Sequence, residues 1–232
     1  MIGLLAAAAG AAATLAATGA APAIGTTDKA AIEKIVRDYI LEHPEILPEA
    51  MDRLQAKETA KAVAANRKAI ETPYAGAWEG NPNGDVTLVQ FFDYACGYCR
   101  TSLPDIERLL KDDPKLRIVY REMPVLGPDS TAAAELSLRV AKTSRYAAFH
   151  RAAYATRPDA AARAKLAKQF GIDTDAKDAG GDAEIMANLQ LQNTLRLTGT
   201  PSWVVGYKIL AGAVGYDALK AAVAEVRTGK TR

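Results

Sequence analysis

The stretch Cys96-Gly97-Tyr98-Cys99 holds the only two cysteines among 232 residues, and their spacing suits sulfur chemistry. A thiolate is the nucleophile of thiol–disulfide exchange, and two thiols three positions apart at the start of a helix share one face, close enough to bridge. The outer thiol of such a pair meets unpaired backbone N–H groups, which favour its ionised form. Cys96 is therefore the expected nucleophile and Cys99 the resolving thiol. A purely structural disulfide here closes almost no loop and adds little unfolded-state entropy. A zinc site needs two further ligands, and the only histidines, His43 and His150, stand far away and unpaired in the sequence. Haem attachment requires His directly after the second Cys, where this chain has Arg100. Copper(I) held by two soft thiolates stays open as a second chemistry.

The elements around the pair fit that role. Val86 to Phe92 is apolar or β-branched except at Gln90 and reads as a buried strand. Asp93-Tyr94-Ala95 then turns the chain into a helix that opens at Cys96 and is expected to run on through Ile106 and Leu109-Leu110. Asp112-Asp113-Pro114 breaks it, and Leu116 to Glu122 reads as a second strand, giving a right-handed βαβ unit with the dithiol at the carboxyl end of its first strand. After a loop from Pro124 to Pro128, capped by Asp129-Ser130, residues 131–197 carry helical patterns. Four helices are expected there, around Leu136, Leu138 and Val140; Tyr146, Phe149 and Tyr154; Leu166 and Phe170; and Ile185, Leu189, Leu191 and Leu195. His150 reads as a packed helix residue. Thr200-Pro201 precedes a β-rich run, which calls for an edge position or a cis bond. Ile209-Leu210 supplies a hairpin partner, and Tyr216 to Arg227 a last helix.

Composition narrows the function. A net charge of +2 with acids and bases intermixed and no basic run argues against a nucleic-acid surface. Residues 1–23 lack charge, are mostly Ala and Leu, and end in Ala21-Pro22-Ala23, a small-x-small cleavage pattern. They read as a signal peptide directing the chain to an oxidising compartment, most simply a bacterial periplasm, with an uncleaved membrane anchor as the alternative. Residues 24–72 form a helical extension. Ile32, Ile35, Val36, Tyr39 and Ile40 recur at helix spacing up to His43-Pro44, where His43 reads as part of the helix end. A second run from Glu45 to Glu71 carries Ile46, Leu47, Met51, Leu54, Val63 and Ile70 on a thin apolar stripe. The stripe must be covered, either by the chain's own domain or by a symmetric oligomerisation stalk. Thr72-Pro73 and Gly80-Asn81-Pro82-Asn83-Gly84 read as a linker, so the expected parts are 73–128, a helical insert at 129–197, and a closing half at 198–232.

Cys96-Gly97-Tyr98-Cys99 after Phe91-Phe92, the loop from Met123 to Ser130, the helical insert and Thr200-Pro201 together resemble DsbA-type thiol–disulfide oxidoreductases of the thioredoxin superfamily. The amino-terminal helices are similar to those of the ScsC and Com1-like branch. The resemblance implies an α/β thioredoxin fold with an inserted helical domain, preceded by an N-terminal helical extension. It also implies that Thr200 and a cis Pro201 face the dithiol and bind an extended substrate segment by β-augmentation. Gly97 and Tyr98 between the cysteines, with Thr200 before the proline, resemble disulfide isomerases, and trimeric relatives suit the stalk. Family members often carry a buried Glu six residues before the first Cys; this chain has Gln90, which cannot take a proton, so water, Arg121 or Glu122 is expected to adjust the thiol's ionisation.

The expected activity is a periplasmic thiol–disulfide oxidoreductase leaning to isomerase or reductase, with disulfide donation, copper binding and thiol-independent chaperoning as alternatives. The expected clients are unfolded or misoxidised secreted proteins. With no G-x-G-x-x-G after a strand and no Walker loop, no cofactor or metal is expected, and electrons must pass to or from a membrane redox partner.

Overall fold

The computed structural model describes residues 26–174 and 178–229, so the expected signal segment lies outside the described residues. The chain divides into two compact units, Met1–Met51 and Asp52–Arg232.

The first unit holds helix α1 (Thr26–Glu42) and the start of α2 (Ile46–Glu71). Pairs such as Lys34–Asp38 lie one turn apart along α1. The His43 amide donates to Tyr39 O at 2.8 Å and its ring packs 4.6 Å from that of Tyr39, so His43 closes the helix as its place before Pro44 suggested. Ile35, Val36, Tyr39, Leu41, Leu47 and Met51 are all exposed.

The second unit takes in the rest of α2. Val63 and Ile70 are buried with Val89, Phe91, Val119 and Val204, and Arg67 lies 4.5 Å over the Tyr207 ring while donating to Gly206 O at 2.9 Å. The boundary expected at residues 72–73 therefore falls inside this unit, which begins at Asp52. A stripe of apolar residues reports that a helix face wants cover; it does not say where along the helix the cover changes.

Five strands form the sheet: β1 (Trp78–Gly80), β2 (Val86–Phe92), β3 (Leu116–Glu122), β4 (Ser202–Val205) and β5 (Lys208–Ala211), in the order β1-β3-β2-β4-β5. Strands β2 and β3 are parallel, and the other pairings are antiparallel. Edge strand β1 lies within the stretch between Thr72-Pro73 and Gly84 that the sequence marks as linker and turn. Only three residues long, it ends at Gly80, whose φ of 89° suits glycine and where an added Cβ would meet Leu116 O at 2.4 Å. The expected dithiol helix is two segments, α3 (Gly97–Thr101) and α4 (Leu103–Asp112). Pro104 lacks an N–H and cannot continue the preceding turn, so it starts a new helix instead. The insert is α5 (Pro128–Ala141), α6 (Tyr146–Tyr154), α7 (Ala160–Phe170) and α8 (Ala179–Leu195), and α9 (Gly215–Arg227) closes the chain.

Strand alternation gives the sheet two unlike faces. Leu88 and Phe92 of β2, Ile118 and Tyr120 of β3, and Trp203 of β4 pack with both cysteines and with helices α4, α5, α6 and α9. Val89 and Phe91, Val119, and Val204 of the same three strands pack instead with α2 and α8. The fold is the α/β thioredoxin type with an inserted helical domain and an N-terminal helical region.

Candidate active site

Strand β2 ends at Phe92 and the chain turns so that Cys96 becomes the N-cap of α3, with extended φ and ψ of −79° and 116°. Its sulfur accepts from the Cys99 amide at 3.4 Å. The same thiol donates to Thr200 O at 3.2 Å, and the Thr200–Pro201 peptide is cis. The structure thus brings together Cys96, Cys99, Thr200 and Pro201, which stand 104 residues apart at the Cys96–Thr200 contact. Both cysteines are free thiols. Cys99 is the more deeply placed: its side chain is fully buried, and burial pushes its thiol well up from the ordinary range. Gly97 faces open space, and Tyr98 is 71% exposed.

Gln90 lies on the dithiol's side of the sheet, between Leu88 and Phe92 on that face, opposite Tyr120 and Trp203. It is fully buried, and neither amide atom has a hydrogen-bond partner among the described residues. Of the two charged neighbours expected to tune the thiols, only Glu122 is on this face. Arg121 points through the opposite face, where it donates to Ile70 O at 3.2 Å, to Asn188 Oδ1 at 3.2 Å, and to Glu184 and the carbonyls of Ala69 and Thr72. Strand alternation makes that separation unavoidable, so Arg121 is not a partner of the dithiol.

Behind the dithiol lies a buried aromatic and polar cluster that the sequence did not announce. Tyr94 Oη bonds Ser137 Oγ at 2.9 Å and His150 Nδ1 at 3.0 Å, and Tyr154 donates to Asp93 O at 3.2 Å. His150 is fully buried among Phe92, Tyr94, Tyr120, Tyr146 and Tyr154, and burial pulls it from 6.5 down to about 3. It is a neutral packed residue, as its place beside Phe149 suggested. Burial also pushes the Glu122 carboxyl well above the usual carboxylate range, with Asp93 and Glu184 adding to the shift. The Ser137 hydroxyl lies close by but is engaged by Tyr94, and neither Glu122 oxygen has a hydrogen-bond partner among the described residues. The side chain of Asp93, which sequence reading passed over as a turn residue, accepts from three backbone amides. Its position between a strand and a helix is the signal that could have marked it, because Asp there bonds backbone two residues on.

A family profile for thioredoxin matches residues 72–225, and one described as the copper resistance protein ScsC N-terminal domain matches residues 28–61. A linker-deletion variant of Proteus mirabilis ScsC is similar at 28% identity with a TM-score of 0.73, covering 90% of this chain and 100% of that one. A thioredoxin-like oxidoreductase from Silicibacter pomeroyi shares 35% identity with a TM-score of 0.65, over 70% of this chain and 98% of its own. The thiol-disulfide exchange protein α-DsbA2 from Wolbachia pipientis shares 28% identity with a TM-score of 0.67, over 75% and 98%. The chain spans only 24% of the length of a curated relative it matches, the Na(+)/H(+) antiporter NhaA 3 of Salinispora tropica, at 26% identity over 153 residues. With a thioredoxin match over most of its length and an ScsC-type amino-terminal domain before it, the chain belongs to the DsbA-like thiol–disulfide oxidoreductases of the thioredoxin superfamily, in the ScsC-like branch.

Proposed function

We propose that the protein is a periplasmic thiol–disulfide oxidoreductase that works chiefly as a disulfide isomerase or reductase. The observation that carries the reading is the different setting of the two buried thiols: Cys96, 6% exposed, caps α3 and contacts Thr200 O, whereas Cys99 is fully enclosed with its thiol pushed up. The Cys96 thiolate attacks one sulfur of a substrate disulfide, forming a Cys96–substrate bond while the substrate's other sulfur leaves as a thiolate. That thiolate then attacks elsewhere in the substrate, or Cys99 loses its proton and attacks Cys96, releasing the substrate thiol and closing the Cys96–Cys99 disulfide. A buried thiol that gives up its proton reluctantly slows the second route. The mixed disulfide therefore lasts long enough to rearrange. The Thr200 backbone, within reach of Cys96, suits pairing with an extended substrate strand, and Gly97 and Tyr98 leave the approach open.

The decisive experiment is the reduction potential of Cys96/Cys99 in glutathione buffers, run beside refolding of a scrambled-disulfide protein. A potential well below about −120 mV with rescue of the scrambled protein is expected; a potential near that value without rescue makes the protein a disulfide donor. Cys96→Ser is expected to abolish turnover, and Cys99→Ala to trap mixed disulfides visible on non-reducing gels. Turnover that survives loss of Cys96 overturns the assignment.

The substrates in this reading are unfolded or misoxidised secreted proteins, and a membrane redox partner resets the dithiol. Exposed Ile35, Val36, Tyr39, Leu41, Leu47 and Met51 support a homo-oligomeric stalk, a trimer by analogy with the branch. Deleting residues 24–51, which spares the α2 segment that helps to build the catalytic core, is expected to lower the solution mass to that of a monomer. An unchanged mass removes the stalk. The amino-terminal match to a copper resistance domain favours one second reading, Cu(I) held between the two thiolates, tested by Cu(I) titration of the reduced protein and of each single Cys variant.

A further inference from the structure

Asp93 is 1% exposed, and its carboxylate and carbonyl oxygens are all engaged as acceptors. Oδ1 accepts from the Ala95 amide at 2.8 Å, and Oδ2 accepts from the amides of Val125 at 2.9 Å and Leu126 at 3.0 Å. Its carbonyl accepts from the Cys96 amide at 3.1 Å and from Tyr154 Oη at 3.2 Å. One side chain thus ties the turn that presents the nucleophile to the loop after β3. A carboxylate offers acceptor lone pairs only, so three converging N–H donors meet no competing donor. An amide in its place would point an NH2 group at one arm of the array.

The loop that Asp93 holds is unusual in its surface. In the unit from Asp52 onward, the exposed large hydrophobics among the described residues are Leu54, Tyr98, Val125, Leu126 and Met186, and three of these five flank the dithiol. Tyr98 lies between the cysteines, and Val125 and Leu126, 41% and 55% exposed, hang from the carboxylate that also grips Ala95. Apolar side chains kept in water beside a reactive sulfur need a partner that covers them when the reaction runs.

We infer that Asp93 is a positioning residue that holds the Val125–Leu126 loop against the Cys96 turn, so that Leu126, Val125 and Tyr98 form an apolar rim for the chain flanking the disulfide of a protein substrate. This rests on the oxidoreductase reading above. The Thr200 carbonyl in contact with Cys96 offers the backbone to which a substrate strand can pair, and such a strand lays its side chains alternately to two sides. The Asp93 carboxylate bonds backbone amides, while the residue's own backbone lies against the Cys99 thiol and is unchanged by substitution of the side chain.

The test is steady-state kinetics on the full chain with a scrambled-disulfide protein as substrate, and glutathione disulfide as a probe too small to reach the rim. Asp93→Asn is expected to raise KM for the protein substrate about tenfold while kcat changes less than about threefold. Because that variant can also loosen the fold, Leu126→Ser at an exposed position is the companion. It is expected to give the same KM-weighted loss with an unchanged melting temperature. A KM for the protein substrate unchanged in Leu126→Ser, or a loss in Asp93→Asn that falls wholly on kcat, overturns the inference. If wild-type protein fails to turn over even glutathione disulfide through Cys96, the oxidoreductase reading itself falls.

Discussion

Arg121 and Glu122 are neighbours on one strand and live in opposite conditions. Arg121, 4% exposed, reaches the carbonyls of Ala69, Ile70 and Thr72 at the end of α2, together with Glu184 and Asn188 on α8. Glu122, 1% exposed, has no hydrogen-bond partner for either oxygen among the described residues. The α2 and α8 face of the sheet spends its buried charge on holding a helix end, whose last carbonyls have no partner within the helix. The dithiol face gathers more polar atoms that packing leaves unbonded among the described residues, with Gln90, Glu122, Tyr146 and His150 all contributing at least one, against Asn188 Nδ2 beside Arg121. One face is built for stability, and the other tolerates a cost in the neighbourhood of the reactive sulfurs.

The comparison is broken most forcefully at Arg121. Arg121→Met keeps a long apolar stem but removes every charge-assisted bond to α2 and leaves Glu184 without its partner. Losing one member of a buried pair costs about 3 to 5 kcal/mol. Urea unfolding at constant slope is expected to show that loss, while the reduction potential of Cys96/Cys99 stays put because the side chain lies on the other face. A cost below about 1 kcal/mol would mean that the face does not depend on this clamp.

A second test separates the faces by pH. His150 is held neutral, its value lowered from 6.5 to about 3, so between those values the unfolded chain binds a proton that the folded chain does not, and stability rises with pH. Glu122 behaves in the opposite sense. Above its ordinary value of 4.5 the unfolded chain has released a proton that the folded chain keeps, so stability falls with rising pH until the raised folded value is passed. Together they predict a rise between about pH 3 and 4.5, near 1.4 kcal/mol per pH unit, and a flatter profile above 4.5, where the Glu122 slope opposes that of His150. His150→Gln is expected to flatten the rise below pH 4.5, and Glu122→Gln to let the rise continue above it, read from urea midpoints across pH. The lowered carboxyls of Asp85, Asp112 and Asp178 add to the acid limb in all three proteins and drop out of the comparison.

What the sequence made legible follows the same division. The apolar run of β2, the Cys spacing, the proline before β4 and the four insert helices are local patterns, and local patterns survive folding. The break after α3 was local too, but a proline in the first turn of a new helix looks the same as one inside an old helix until the chain direction is known. Strand β1 escaped notice because three residues among glycines carry no period. Val63 and Ile70 read like Leu47 and Met51 on the same stripe, yet only the first two are buried in the described chain. Periodicity names a face and leaves its partner to tertiary structure. Asp93 belongs with these, because its partners Val125 and Leu126 lie 32 and 33 residues away.

The smallest effect sharpens the comparison at its centre. Gln90 is fully buried with both amide atoms unbonded among the described residues, so it is charged the desolvation of a polar group without the bond that would offset it. Gln90→Leu fills nearly the same volume and removes both atoms, and is expected to stabilise the fold by about 1 kcal/mol in chemical denaturation. Gln carries no exchangeable acid, so release of a trapped mixed disulfide by Cys99 is expected to keep its rate within about twofold. If Leu destabilises instead, the Gln90 amide is satisfied in solution and the dithiol face is less frustrated than its packing implies. If stability rises but Cys99-dependent release slows, the polarity of Gln90 helps the buried thiol shed its proton, and the unbonded amide beneath the dithiol is retained for turnover at the expense of stability.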